Sequence, residues 1–99
     1  MEKIAIDGLT FDGIAIPTAH AKILLIRGEK AHLGCGYFSL APADFVGDRF
    51  CVVTGVRTFD DMLNARVVAV SSAAIACGVE PGMPGREALL RMEQAQAAV

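Results

Sequence analysis

Cys35 has the most unusual setting of any reactive side chain in this sequence, because it stands between two glycines in the stretch AHLGCGYFSL. A thiol can act as a nucleophile when a base or a positive charge stabilises its thiolate. Alternation along a strand places Cys35 on the same apolar face as Leu33 and places His32 on the opposite face. We therefore expect Cys35 to be a packed thiol rather than a nucleophile that His32 activates.

The two glycines beside this thiol are candidate ligand-binding residues. Glycine weakens a strand, and it often marks a bulge or the close approach of another backbone or a ligand. Gly34 and Gly36 leave one face of the predicted strand without side chains. The segment is not a dinucleotide-binding fingerprint, because the third glycine is missing.

A glycine and an arginine precede a helix start at two places, VVTGVRTFDD and EPGMPGREALL. The first turn contains Gly55, Arg57 and the predicted N-cap Thr58, and the second contains Gly85 and Arg86. Free backbone N–H groups and a guanidinium suit a carboxylate or a phosphate. In the alternative interpretation these are ordinary helix caps whose arginines pair with the neighbouring carboxylates Asp60, Asp61 and Glu87.

The charge pattern argues against several classes of partner. Nine Lys and Arg residues and eleven Asp and Glu residues are spread along the chain, and no basic run predicts nucleic-acid binding. No apolar stretch approaches the roughly 18 residues that a membrane span needs. Asp60 and Asp61 have no second acidic or histidine cluster beside them, so we expect no metal and no cofactor.

Composition also bears on compartment and assembly. The opening MEKIAIDG is not typical of a signal peptide, and three cysteines without a Cys-x-x-Cys pair predict reduced thiols and a cytoplasmic location. Hydrophobic residues make up 54% of the chain. Because a small domain cannot hide such a share inside one subunit, we expect self-association into a homo-oligomer.

These residues must be positioned by a single domain spanning residues 1–99. Alternation and turn signals predict strands over residues 3–7, 10–16, 21–28, 30–36, 49–55 and 65–70. Capping and periodicity predict short helices over residues 42–46, 58–64 and 72–77. They also predict a final helix in PGREALLRMEQAQAAV, with Ala88, Leu89, Met92 and Ala95 on one face and a tail past Gln94 that frays. This order predicts an α+β fold, a two-layer sandwich in which helices pack on one face of a mostly antiparallel sheet.

Three segments resemble the YunC-like family of small prokaryotic proteins of unknown function: CGYF, GVRTFDDMLNARV and GVEPGMPGREALLRM. The resemblance covers most of the chain and implies a compact two-layer α/β sandwich. It transfers no catalytic residue, because the family has no established activity. It does imply that the three segments belong to one pattern, which would line one pocket if Cys35, Arg57 and Arg86 met in space.

Two functions follow from these observations. The first is a homo-oligomeric, cytoplasmic binding module for a small anionic ligand or a protein partner. The alternative is a thiol-dependent enzyme in which Cys35 attacks an anionic substrate oriented by Arg57 or Arg86. The sequence leaves open whether the protein is an enzyme.

Overall fold

A computed structural model describes residues 1–96, which form six strands and four helices around one sheet. The strands are β1 (Glu2–Ile6), β2 (Leu9–Pro17), β3 (Lys22–Arg27), β4 (Ala31–Gly34), β5 (Arg49–Val52) and β6 (Ala69–Val70). The helices are α1 (Ala41–Val46), α2 (Phe59–Asn64), α3 (Ser72–Ala76) and α4 (Gly85–Gln94). The strands lie in chain order, and every pairing is antiparallel except that of β4 with β5. The predicted α+β fold is confirmed.

Local turn chemistry explains the first hairpin. Asp7 and Gly8 both have positive φ, 48° and 84°, which is the conformation of a two-residue type I′ turn. The turn places Ile6 opposite Leu9 and so fixes the register of β1 against β2. The hairpin between β3 and β4 is likewise formed as the sequence predicts.

Helices α2 and α4 both pack over the centre of the sheet, on the same face. One cross-strand row on that face consists of Gly13, Ile26, Leu33 and Cys51. The ring of Phe59 in α2 lies over Gly13, and the sulfur of Met92 in α4 lies 3.6 Å from that of Cys51. The buried core lies between this helical layer and the sheet. Within residues 1–96 no helix is long and apolar enough to cross a membrane.

The opposite face of the sheet is only partly covered. The crossover between β4 and β5, residues 35–48, brings Phe38 over Gly34, where an added Cβ would lie 2.5 Å from the ring. Farther along this face, Ile14 and Leu25 are half-buried, and Ile16 is 53% exposed. An apolar surface therefore remains open on β2 and β3.

Two predicted strands are shorter than expected. The strand predicted over residues 30–36 ends at Gly34, because Cys35 begins a turn in which the Phe38 N–H donates to the Cys35 carbonyl at 3.1 Å. The strand predicted over residues 65–70 is reduced to Ala69–Val70, because Arg66 pairs with Pro84 instead. A local turn therefore decides the first boundary, and a partner distant in sequence decides the second.

Two other boundaries also differ. Strand β5 ends at Val52 rather than continuing to Gly55, and α4 ends at Gln94, so Ala95 is the C-cap rather than part of the helical face. The predicted fraying of the tail concerns in part residues 97–99, which lie outside the described residues.

Candidate functional site

The parallel pairing of β4 with β5 brings together segments that are distant in sequence. Their carboxyl ends lie at one edge of the sheet, so the segments 35–37 and 55–57 meet there. Because β3 runs antiparallel to β4, the connection from β2 to β3, residues 18–21, lies at the same edge.

These three segments and Lys22 surround a cleft of about 840 Å³. The cleft is lined by Thr18, Ala19, His20, Ala21, Lys22, Cys35, Gly36, Tyr37, Gly55, Val56 and Arg57. Four of the residues singled out from the sequence therefore meet at one place: Cys35, Gly36, Gly55 and Arg57. Clefts of this size commonly hold small molecules.

Cys35 lies at the inner wall of the cleft with only 4% of its surface exposed. Its N–H donates to the Leu24 carbonyl at 3.0 Å, and the Leu24 N–H donates to its Sγ at 3.3 Å. This reciprocal pair fixes both the backbone and the sulfur. The thiol is packed, as predicted from the strand pattern, yet it also borders the cleft.

Cys51 shows the contrasting environment of a thiol in the core. It is fully buried, and its Sγ contacts the Met92 sulfur at 3.6 Å. Burial, with a smaller contribution from nearby Cys77, raises the pKa of Cys51 to about 12. Cys51 is therefore protonated at neutral pH and unreactive.

Tyr37 and Thr18 connect two walls of the cleft. The Tyr37 hydroxyl lies 3.3 Å from the Thr18 hydroxyl. Thr18 also closes the turn at residues 18–21, because its Oγ1 accepts from the Ala21 N–H at 2.9 Å and its N–H donates to the Ala21 carbonyl at 2.9 Å. These contacts hold the hairpin connection against the segment that follows Cys35.

Arg57 enters the cleft from the turn before α2. The predicted cap is formed: the Thr58 Oγ1 accepts from the Asp61 N–H at 3.0 Å, and the Asp61 carboxylate accepts from the Arg57 N–H at 3.0 Å. Asp61 thus binds the Arg57 backbone rather than its guanidinium. Over residues 1–96 the Arg57 guanidinium has no carboxylate within salt-bridge distance, so the ordinary pairing considered above is not found.

The second glycine–arginine turn has a different environment. Gly85 is buried, its N–H donates to the Ala65 carbonyl at 2.8 Å, and an added Cβ would lie 2.2 Å from the Met62 carbonyl oxygen. Glycine is required here for close packing of α4 on α2. Arg86 is exposed and does not line the cleft, so the structure brings Cys35 and Arg57 together without Arg86.

Two further predicted residues lie beside the cleft rather than in its lining. Gly34 is buried beneath Phe38, which explains the glycine by packing. Thr58 lines a smaller depression of about 330 Å³, together with Glu2, Ala15, Lys22, Leu24, Arg57, Phe59 and Asp60. The depression and the cleft share Lys22 and Arg57.

Sequence reasoning missed four polar residues of the cleft, Thr18, His20, Lys22 and Tyr37. The turn PTAHAK between two predicted strands is the local signal for the first three of them. The position of this turn over Cys35 depends on the order of the strands in the sheet. His32 behaves as expected and does not line the cleft: its Nδ1 lies 2.9 Å from the Arg49 carbonyl oxygen, and its ring stacks on Phe50. In the part of the chain described, no group of three His, Cys, Asp or Glu side chains is arranged to hold a metal.

Comparison with known proteins identifies the family. Residues 34–92 match the family described as Domain of unknown function (DUF1805). The uncharacterized protein YunC of Bacillus subtilis (strain 168) is 31% identical over 96 residues, which cover 93% of this chain and 95% of that protein. The crystal structure of a protein of unknown function, TA1206 from Thermoplasma acidophilum, matches with a TM-score of 0.87 at 34% identity and covers 92% of this chain and 89% of that chain.

The matched region contains in full the three segments on which the predicted resemblance rests: CGYF, GVRTFDDMLNARV and GVEPGMPGREALLRM. The predicted family is thereby confirmed. The chain belongs to the YunC-like family of uncharacterised proteins, the family of the domain of unknown function DUF1805.

Proposed function

We propose that this protein is a binding module that takes a small anionic ligand into the cleft. The observation that carries the proposal is the charge of the lining, which includes Lys22 and Arg57 but no carboxylate. Neither Lys22 nor Arg57 forms a salt bridge with a residue in the range 1–96. Unpaired cations around a concave surface favour an anion.

The donors at the cleft suit a carboxylate or phosphate. The Arg57 guanidinium can bind two oxygens at once, and Lys22 adds a second positive charge. The backbone N–H groups of Gly36 and Gly55, both exposed, donate to no other group of residues 1–96. They are therefore available as additional donors.

The test compares Arg57→Gln with the matched variant Arg86→Gln, using inorganic phosphate and butyrate as probes in an NMR titration. Hydrogen bonds to a charged group contribute about 1.5–3 kcal/mol, so Arg57→Gln should weaken binding about tenfold to a hundredfold. Arg86→Gln should change the affinity less than about twofold, because Arg86 does not line the cleft. Equal losses in both variants, or no saturable binding by the natural sequence, would contradict the proposal.

The second candidate is a thiol-dependent enzyme, which the shared location of Cys35 and His20 favours. The Cys35 sulfur would attack an electrophilic carbon of the bound anion and form an S–C bond. The leaving group would depart with the electron pair, and the thiol proton would pass to His20 or to water. Arg57 would orient the substrate in this reaction.

We also propose that two copies associate through the open apolar face of β2 and β3. Beside Ile14 and Leu25, the same face carries a cross-strand row of Lys3, Asp12 and Arg27, which alternates in charge. Lys3 and Asp12 pair with each other at 2.6 Å, so the row carries little net charge and suits self-association better than a strongly charged partner. The proposed cytoplasmic location rests on the three unpaired cysteines, Cys35, Cys51 and Cys77.

A further inference from the structure

The cleft and the smaller depression are neighbours, because Lys22 and Arg57 line both. A ligand whose anionic group lies between these two side chains can therefore extend to either side. On one side it meets Cys35 and His20, and on the other it meets the depression of about 330 Å³.

The smaller depression differs from the cleft in charge, because two carboxylates line it together with Lys22 and Arg57. Glu2 and Asp60 line it, and neither carboxylate forms a salt bridge within residues 1–96. The Asp60 side chain also accepts no hydrogen bond in this part of the chain, although the Asp60 carbonyl accepts from the Asn64 amide at 2.9 Å. Two free carboxylates beside two free cations form a dipolar surface.

The rest of the depression is suited to a short hydrocarbon. Ala15, Leu24 and the ring of Phe59 contribute to its lining. Such side chains can contact methylene groups, and an aromatic ring also attracts an alkylammonium group.

We infer that the ligand is a small zwitterion, with a carboxylate or phosphate between Lys22 and Arg57 and a protonated amine beside Glu2 and Asp60. This inference rests on the proposed anion binding in the cleft and adds the chemical class of the ligand. A simple monoanion fills only the cationic half of the surface. A molecule that carries both charges, separated by a short methylene chain, satisfies both halves.

The test uses linear ω-amino acids with two to five methylene groups, each matched with the straight-chain carboxylate that lacks the amine. At least one amino acid should bind about two- to fivefold more tightly than its matched carboxylate, as expected for an exposed ion pair. Asp60→Asn or Glu2→Gln should remove this preference, because each takes away a negative charge beside the amine. Glu80→Gln, an exposed acid outside both linings, is the control and should preserve the preference.

Two outcomes overturn the inference, and they can be told apart. If carboxylates bind but no amino acid is preferred, or if the preference persists in both Asp60→Asn and Glu2→Gln, the zwitterion is wrong and anion binding in the cleft stands. If no probe binds saturably, the proposed function fails and the inference fails with it.

Discussion

Cys35 combines two properties that its sequence pattern could not separate. The alternation of β4 correctly places it with Leu33 on the buried face. Whether its sulfur also borders a cleft depends on the turn that begins at Cys35 and on Leu24, a residue of another strand. The sequence around Cys35 does not predict that contact with Leu24.

At the level of this residue, we predict selective alkylation by iodoacetamide at neutral pH. Cys35 borders the cleft and should react in the native protein, whereas Cys51, with its pKa raised to about 12, should react only on unfolding. Added phosphate should protect Cys35 but not Cys77, which does not line the cleft. Peptide mass spectrometry measures all three sites.

Failure of Cys35 to react in the native protein would contradict this prediction. If Cys35, like Cys51, is modified only after unfolding, the thiol-dependent enzyme is excluded. Its role is then restricted to packing and to the sulfur contact with Leu24, while anion binding by Arg57 is unaffected.

At the level of elements, one carboxylate ties α4 to the hairpin between β3 and β4. Glu93 accepts from the backbone N–H groups of Glu29, Lys30 and Ala31 at 2.8, 2.9 and 3.0 Å. Gly28 gives the carboxylate room, because an added Cβ would lie 2.5 Å from it. Partial burial would raise the pKa of Glu93, but the three backbone hydrogen bonds and the charge of Lys30 together lower it below its usual value.

This depressed pKa makes a signed prediction about stability. The contribution of Glu93 is present above the unfolded-state pKa of about 4.5 and is lost as the pH falls through the lower folded-state value. Glu93→Gln should therefore cost about 1 kcal/mol of unfolding free energy near neutral pH and progressively less below about pH 4.5. Urea unfolding from about pH 7 to about pH 3 measures the difference.

The control for this prediction is Glu80→Gln, since the Glu80 side chain forms no hydrogen bond or salt bridge in the described chain. Its effect on stability should be small and should not vary in the same pH window. A Glu93→Gln effect that is constant with pH would mean that the charge of Glu93 does not stabilise the hairpin.

Most elements could be predicted because their signals are local. The Asp7–Gly8 turn, the Thr58 cap and the left-handed Gly47 each act within a few residues. The parallel pairing of β4 with β5 was not predicted, because no local sequence signal indicates which strands are neighbours in the sheet. The cleft depends on that pairing, so the sequence could nominate Cys35 and Arg57 but could not show that they meet.

The two glycine–arginine turns illustrate the same limit. Gly55 has a positive φ of 72° and an open surrounding, whereas Gly85 is buried against the Met62 carbonyl. Their sequences are similar, but contacts from distant parts of the chain make one a cleft wall and the other a helix-packing site. Gly55 takes its role from the pairing of β4 with β5, whereas Gly85 takes its role from the packing of α4 on α2.

At the scale of the whole molecule, the open apolar face of β2 and β3 predicts a dimer. A single charged residue introduced on this face should disrupt the dimer. Ile16→Glu should shift sedimentation equilibrium from dimer toward monomer over about 1–100 µM protein, because it places a charge on the proposed interface. The matched variant Ile75→Glu alters a similarly exposed isoleucine on α3 and should remain dimeric. A natural sequence that is monomeric throughout, or equal dissociation of both variants, would contradict self-association through this face.

The most direct test of the central claim, that the cleft binds a small anion, is to map butyrate binding on the natural protein by two-dimensional NMR. The account predicts that the backbone amides of Gly36, Gly55 and Arg57 shift together and saturate with one dissociation constant. The amides of Gly85 and Arg86 should remain in place, since they lie outside the cleft. Saturable shifts centred on Gly85 and Arg86, with none at the cleft, would contradict the account.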